Sequence, residues 1–184
     1  IQRDVESGSA RAAVLDFHGD GAMSEGDTNE AYVFAASMNA PVVFVCVNNQ
    51  WAISEPTTVQ SPTSLFRRAI GFGIPAVQVD GNDVVAMTAV LRAALDHARS
   101  GKGPVFVEAW TYRMGAHTTT DDPTRYRTAD EEAIWGKTDP ILRLQTYLQD
   151  RGDIDQGWLD GLAEREEAFR AEVRAAVHEN PTPV

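Results

Sequence analysis

A single cysteine, Cys46, stands among 184 residues, so no disulfide closes within the chain. A lone thiol fits a reducing compartment. Its setting, "VVFVCVNN", is apolar and reads as a small buried hydrophobe rather than a nucleophile. Positive charge is also scarce: 16 Lys and Arg face 27 Asp and Glu, a formal net charge of −11. That balance argues against a nucleic-acid footprint, which needs clustered Lys and Arg. It aids solubility and leaves room for a basic partner surface. No apolar run approaches the ~20 residues that span a bilayer, no signal-peptide pattern opens the chain, and neither repeats nor low-complexity tracts occur. The first residue is Ile1 rather than Met and leads into the polar "QRDVESGSAR". A fragment with a missing upstream segment is therefore expected.

What is there is an ordinary globular balance, 43% hydrophobic, which predicts one domain with an appendage. The run "ARAAVLDF" from Ala10 is short, apolar and ended by glycine, the pattern of a buried strand. A helix is expected next, with Asp27 as N-cap, Glu30 at the capping-box spacing, and Ala31, Phe34, Ala35 and Met38 on one face. "NAP" ends it, and "VVFVCV" is a second buried strand. Strand, helix, strand in so few residues is a right-handed crossover, so the two strands run parallel. The alternation continues through a short helix near "SLFRRAIGFG", the strand "PAVQV", the helix "VVAMTAVLRAALDHARS" and the strand "VFVEAWTY". An irregular, polar stretch from Arg113 to Thr128 follows, then the helix "DPILRLQTYLQD". A charged helix from Trp158 to Val177 carries Leu159, Leu162, Phe169, Val173 and Val177 as a stripe. The pattern predicts an α/β fold, a three-layer sandwich on a mainly parallel sheet, with residues 1–150 as the main domain and 151–184 as a charged helical extension.

One stretch conflicts with simple phosphate binding. "GDGAMSEGD", Gly19 to Asp27, ends the first strand with three glycines but also three carboxylates. Glycines expose backbone N–H groups that suit a phosphate, whereas the carboxylates repel one. A divalent cation between them removes the conflict. In open α/β sheets ligands bind outside the carboxyl ends of the strands. Asp20 follows the first strand and Asn49 the second, and neighbouring strands lie roughly 5 Å apart. A carboxylate and an amide carbonyl are hard donors that suit Mg²⁺, and a helix N-terminus beyond them suits phosphate. "GDG" or "NN" alone is a common turn or strand exit. Together at one edge of one crossover they point to a site.

These residues resemble a known family. "GDGAMSEGD…EA…FA…APVVFVCVNNQWAIS" is similar to the thiamine-diphosphate motif that begins with GDG and ends with NN. More closely, it resembles the alpha subunit of 2-oxo acid dehydrogenase first components. The likeness extends through "RAIGFGIPAVQVDGNDV", "GPVFVEAWTYRMGAHTTTDDPTRYR" and "DPILRLQTYL", weakening only over the first ten residues and the C-terminal helix. It implies thiamine diphosphate and Mg²⁺ as cofactors, with Asp20, the Asn49 side chain and the Trp51 carbonyl as metal ligands. Gly21 and Ala22 offer backbone contacts to the diphosphate, Arg113 reaches it from the other side, and His117 is the active-site histidine. Tyr126 and Arg127 match a loop that folds over the cofactor channel. Thr118 and Thr128 stand where animal members carry regulatory phosphoserines. The implied reaction is decarboxylation of a 2-oxo acid and transfer of the acyl group to a lipoyl carrier, in the bacterial cytoplasm. The implied partners are a beta subunit, in a heterotetramer whose site is shared, and a lipoyl-bearing acyltransferase.

Two departures matter. Some branched-chain members have arginine where this chain has Val47, and the family's upstream segment supplies further cofactor contacts. "GAHTTTDDPTRYR" favours the branched-chain type, with pyruvate or acetoin enzymes and a non-catalytic assembly module as alternatives. Among the other histidines, His18 reads as a strand-end polar residue, His97 sits near a helix C-terminus, and His178 faces solvent. Asp121 and Asp122 read as loop braces. The 114–128 loop shows several charges without an apparent partner within the chain, so without cofactor and neighbouring subunits the loop is expected to be poorly ordered and the isolated chain to lack decarboxylase activity.

Overall fold

A computed structural model describes residues 12–180. The first strand, β1 (Val14–Gly19), runs into a 3₁₀ turn, Asp20–Ser24, and helix α1 (Gly26–Ser37). Strand β2 (Val42–Asn48) is followed by a small excursion: β3 (Trp51–Ala52), β4 (Glu55–Pro56) and the single-turn α2 (Thr57–Gln60). Next come α3 (Leu65–Gly71), β5 (Ala76–Asp80), α4 (Val84–Arg99) and β6 (Val105–Trp110). After an irregular loop with a 3₁₀ turn at Pro123–Arg125 lie α5 (Ala129–Gly136), α6 (Pro140–Asp150) and α7 (Gln156–Glu179).

The main sheet has four strands in the order β1-β2-β6-β5, all parallel, and β3 and β4 form a separate antiparallel pair. Alternation along β2 and β6 divides the core. Phe44, Cys46 and Phe106 pack on one face with Met23, Tyr32 and Ala35 and with Leu65 and Ala69 of α3. Val43, Val45, Val105 and Val107 pack on the other with Ala94 and Ala98 of α4. Helices on both faces explain why β2 reads as a continuous apolar run. The expected layered α/β fold with a mainly parallel sheet is what the chain forms.

The chain divides into two compact units, the first ending at Pro140 and the second beginning at Ile141. Within the second, Asp155 caps α7 by accepting from the Trp158 N–H at 2.8 Å. Leu162, Phe169, Val173 and Val177 are exposed. No helix among the described residues is long and apolar enough to cross a membrane.

Several expectations need correction. The N-cap of α1 is Glu25, with no side-chain cap bond, and Asp27 lies inside the first turn, where its charge suits the helix dipole. The capping-box pattern fails because Glu25, extended at φ −80° and ψ 144°, separates the 3₁₀ turn from the helix, and helical geometry begins at Gly26, before Asp27. Ala10 and Arg11 of the first predicted strand lie outside the described residues, and the last strand stops at Trp110. The excursion β3–β4–α2 and helix α5 have too few periodic residues to be read from sequence, although Thr128 caps α5 through the Glu131 N–H at 3.3 Å.

His18 has a definite structural job. Its Nδ1 lies 2.8 Å from the Asp16 carboxylate and its Nε2 2.9 Å from the Tyr32 hydroxyl. An Nδ1–H donated to Asp16 leaves Nε2 to accept from the phenol. Tyr32 is fully buried, its ring edge-on to Phe106 at 5.8 Å, and burial holds its phenol above the usual range. Cys46 is equally buried. Burial first, then the negative charges of Glu108 and Asp20, raise its thiol well above the ordinary value. The thiol is therefore neutral at pH 7, and reactivity belongs to the thiolate. An aromatic disulfide reagent should leave Cys46 unmodified in the native protein and react fully only in denaturant. Stoichiometric labelling of the folded chain would contradict this environment.

Candidate functional site

Parallel pairing brings the exits of β1 and β2 to the same edge of the sheet. Gly19 pairs with Val47, so Asp20 leaves β1 at the level where Asn48 and Asn49 leave β2. Asp20 is only 2% exposed. Its Oδ2 accepts from Thr57 Oγ1 at 3.0 Å and from Gln60 Nε2 at 3.1 Å. Its Oδ1 has no hydrogen-bond donor among the described residues. The two asparagines diverge, Asn48 being the last residue of β2 and Asn49 lying in the turn beyond it. Asn48 is buried, donates Nδ2 to Glu108 at 2.7 Å, and accepts the Gln50 N–H at 3.0 Å. Asn49 is half-buried and its Oδ1 accepts the Trp51 N–H at 3.1 Å.

The β3–β4 hairpin folds back over the Asp20 turn. At Gly21 a Cβ would lie 3.0 Å from Ala52 Cβ, tighter than side chains ordinarily pack, so glycine suits this approach. Gln50 (φ 71°) and Ile53 (φ 56°) adopt the left-handed region, which is costly for a β-branched side chain such as Ile53. Arg113 fixes this strained hairpin: Nη1 donates to the Trp51 carbonyl at 2.8 Å and Nη2 to the Ile53 carbonyl at 2.5 Å. Nη2 also donates to the Tyr126 hydroxyl at 2.9 Å, and the Tyr126 ring lies 5.1 Å from that of Trp51. Arg113 Nε is buried and has no acceptor among the described residues.

The 113–128 loop is braced from within. Asp121 Oδ2 accepts the His117 backbone N–H at 2.8 Å and the Tyr126 hydroxyl at 2.6 Å. These two donors, the phenol first, hold the Asp121 carboxyl below its ordinary value. Asp122 caps the 3₁₀ turn through Thr124. Arg127 is buried; it donates to the carbonyls of Arg113, Met114 (2.8 Å) and Gly115 (3.0 Å), and pairs with Glu132 at 2.7 Å. Its guanidinium also lies over the Tyr112 ring, 5.5 Å from the centroid. The expectation of loop charges without partners is thus overturned: Arg113, Asp121 and Arg127 all find partners within the chain. The braces suggested for Asp121 and Asp122 are present. Thr118 is exposed, its hydroxyl 3.2 Å from that of Thr120.

The structure therefore gathers Asp20, Gly21, Asn49, Trp51, Arg113 and Tyr126 around the hairpin. Ala22 follows in the 3₁₀ turn and accepts the Glu25 N–H at 3.0 Å. His117 is exposed on the loop, tied in by its backbone. Arg127 points its donors at its own loop. Sequence reasoning missed Thr57, Gln60 and Glu108. Glu108 carried a detectable sign: a lone carboxylate in the apolar run "VFVEAW", now 1% exposed and accepting from Asn48 and the Phe66 N–H. A cavity of about 530 Å³ beside the site is lined by Asn48, Trp51, Thr57, Glu108, Trp110 and Glu131, among others.

Only a fork-shaped cation can serve three carbonyls and a carboxylate together, which generates a test. Arg127→Lys should expose the loop, raising the rate of tryptic cleavage at Arg125 severalfold with little change in far-UV dichroism. Asp121→Ala should do the same. The Asp121 brace, having a lowered carboxyl, persists at neutral pH and fades only as pH falls through a value under the ordinary ~3.9. Equal cleavage rates in wild type and both variants would contradict the bracing.

Comparison with known proteins bears on the same residues. Residues 7–182 match the model of the family described as dehydrogenase E1 component. The chain is 50% identical, over 166 residues, to the 3-methyl-2-oxobutanoate dehydrogenase subunit alpha of Mycobacterium tuberculosis, covering 90% of this chain and 45% of that protein. It is 52% identical over 136 residues to the pyruvate dehydrogenase E1 component subunit alpha of Acholeplasma laidlawii, covering 73% of this chain and 39% of the relative. The Staphylococcus aureus (strain Mu50) protein of the same name is 42% identical over 170 residues, 91% of this chain and 45% of the relative. The chain thus spans less than half the length of these curated relatives. With its parallel sheet, its GDG turn and its paired asparagines at one edge, the chain belongs to the dehydrogenase E1 component family.

Proposed function

We propose that this chain is part of the alpha subunit of a 2-oxo acid dehydrogenase that uses thiamine diphosphate and Mg²⁺, decarboxylates a 2-oxo acid and passes the acyl group to a lipoyl carrier. The observation that carries the reading is Asp20: a carboxylate 2% exposed, with two neutral donors on one oxygen and none on the other. Oδ1 keeps its lone pairs open to a further partner. A hard cation fits there, and the Asn49 and Trp51 oxygens are donors of the same kind. The orphaned Arg113 Nε–H suits an anionic oxygen such as a diphosphate carries. The residues present fit the two groups.

On this reading Asp20, Asn49 and the Trp51 carbonyl hold the metal, and Gly21 and Ala22 bind the diphosphate through their backbone. Arg113 adds positive charge while keeping the hairpin in place, and Tyr126 orients Arg113. Arg127 shapes the loop that carries His117, whose exposed imidazole moves a proton to or from the reacting group during acyl transfer. Thiamine diphosphate, when bound, supplies the carbanion chemistry of decarboxylation. All these residues fall in the first unit, and residues 151–184 form an extension that takes no direct part. The working enzyme pairs this subunit with a beta subunit that completes the site, in a heterotetramer served by a lipoyl-bearing acyltransferase in a bacterial cytoplasm.

A branched-chain 2-oxo acid is favoured as substrate, supported by the 50% identity to a 3-methyl-2-oxobutanoate relative over 90% of the chain. Rates on 3-methyl-2-oxobutanoate, pyruvate and acetoin with the assembled enzyme decide among the types. Calorimetry should show tight cofactor binding only with Mg²⁺ or a similar cation, and Asp20→Ala should weaken it severely. Equal affinity with and without metal would remove the proposal. His117→Ala should keep cofactor affinity within a few-fold while lipoyl acylation falls roughly 10²–10⁴-fold. Unchanged acylation would remove His117 from the chemistry.

A further inference from the structure

The excursion β3–β4–α2 interrupts the strand–helix alternation and makes no contribution to the main sheet, yet it meets Asp20 at two side chains. Thr57 Oγ1 lies 3.0 Å and Gln60 Nε2 3.1 Å from the same oxygen, Oδ2. The chemistry of each donor is determined by its surroundings. Gln60 Nε2 also donates to the Glu55 carbonyl at 3.2 Å, and its Oε1 accepts from Ser24 Oγ at 3.4 Å, so both neighbours of its nitrogen are acceptors and the amide orientation is unambiguous. Thr57 Oγ1 has two acceptors, Asp20 Oδ2 and Asn48 Oδ1 at 3.1 Å, but one proton. Asn48 Oδ1 is already served by the Gln50 N–H. A carboxylate oxygen is a stronger acceptor than an amide oxygen and takes the Thr57 proton.

Asn48 cannot turn to relieve the crowding, because Glu108, itself buried, holds its Nδ2 at 2.7 Å. Thr57 is fixed from the backbone as well: its N–H donates to the Gln50 carbonyl at 3.0 Å, and the Ser61 N–H donates to its carbonyl at 2.9 Å. Two fixed donors on one oxygen restrict rotation of the carboxyl and direct its other oxygen away from α2.

We propose that Thr57 and Gln60 are positioning residues for the cation site: they hold Oδ2 of Asp20 so that Oδ1 alone is presented to a divalent metal. This inference rests on the reading of Asp20 as a metal ligand. Groups that orient a metal ligand typically contribute 10–100-fold to metal affinity.

The test is Mn²⁺ binding to the assembled enzyme in the presence of thiamine diphosphate, followed by electron paramagnetic resonance, with thermal midpoints measured in the absence of metal. Thr57→Val, which keeps shape and removes the hydroxyl, should weaken Mn²⁺ about 10–100-fold, and Thr57→Ser should restore it to within a few-fold. Gln60→Ala should weaken Mn²⁺ as well, and the bound-metal spectrum of both weakened variants should broaden as the ligand orientation spreads. Should Thr57→Val fail to fold, Gln60→Ala and the serine variant carry the comparison. Wild-type Mn²⁺ affinity in Thr57→Val and Gln60→Ala, alongside its loss in Asp20→Ala, would overturn the positioning role and leave the metal assignment standing. Equal weakening in Thr57→Val and Thr57→Ser would also overturn it, since the hydroxyl would not be the cause. Wild-type affinity in Asp20→Ala would overturn the metal assignment itself.

Discussion

The parallel register of β1 against β2 is the constraint on which the rest of this molecule depends. Pairing Gly19 with Val47 makes the two strands end together, and everything chemically distinctive is attached at that end. A shift by one residue would swap Asn48 for Asn49 and every core side chain of one strand for its neighbour on the other face. The register is secured by apolar burial on both sides of β2, where Val43, Val45 and Cys46 are fully buried. The precision of the site is thus a by-product of core packing several residues away.

A second level of organisation is polar. Two arginines, Arg113 and Arg127, each gather several carbonyls from segments outside the main sheet. Such segments carry backbone acceptors that the sheet cannot serve, and the planar guanidinium serves several at once. Arg113 joins the hairpin to the 113–128 loop through Tyr126, so the two sides of the site are tied to each other. The loop keeps its tip, His117 included, exposed while its base is tied.

Legibility in the sequence followed physical range. Strands, crossover and layers were readable because apolar periodicity is local and strong, as in "VVFVCV". The placement of Asp20 and Asn49 at one edge of the sheet was readable because neighbouring parallel strands end together. The α1 cap was misread because the 3₁₀ turn before it leaves no periodic trace, and Glu25 rather than Asp27 holds the position. The inward use of Arg127 was invisible: a motif gives a residue's neighbours along the chain and not the carbonyls its side chain reaches. Thr57 and Gln60 were invisible for a related reason, since an excursion of a few residues has no period and its contacts to Asp20 span the whole crossover.

The contact between Gly21 and Ala52 has a consequence for how this site varies. With 3.0 Å between a would-be Cβ and Ala52 Cβ, the two positions share one fixed volume. An alanine at 21 would press on Ala52, and the hairpin would have to lift by a few tenths of an ångström to admit it. Because Arg113 holds that hairpin by its carbonyls, lifting it would also draw on the loop that bears His117. The spacing between Gly21 and Ala52 therefore links the turn at the end of β1, through Arg113, to the loop beyond β6.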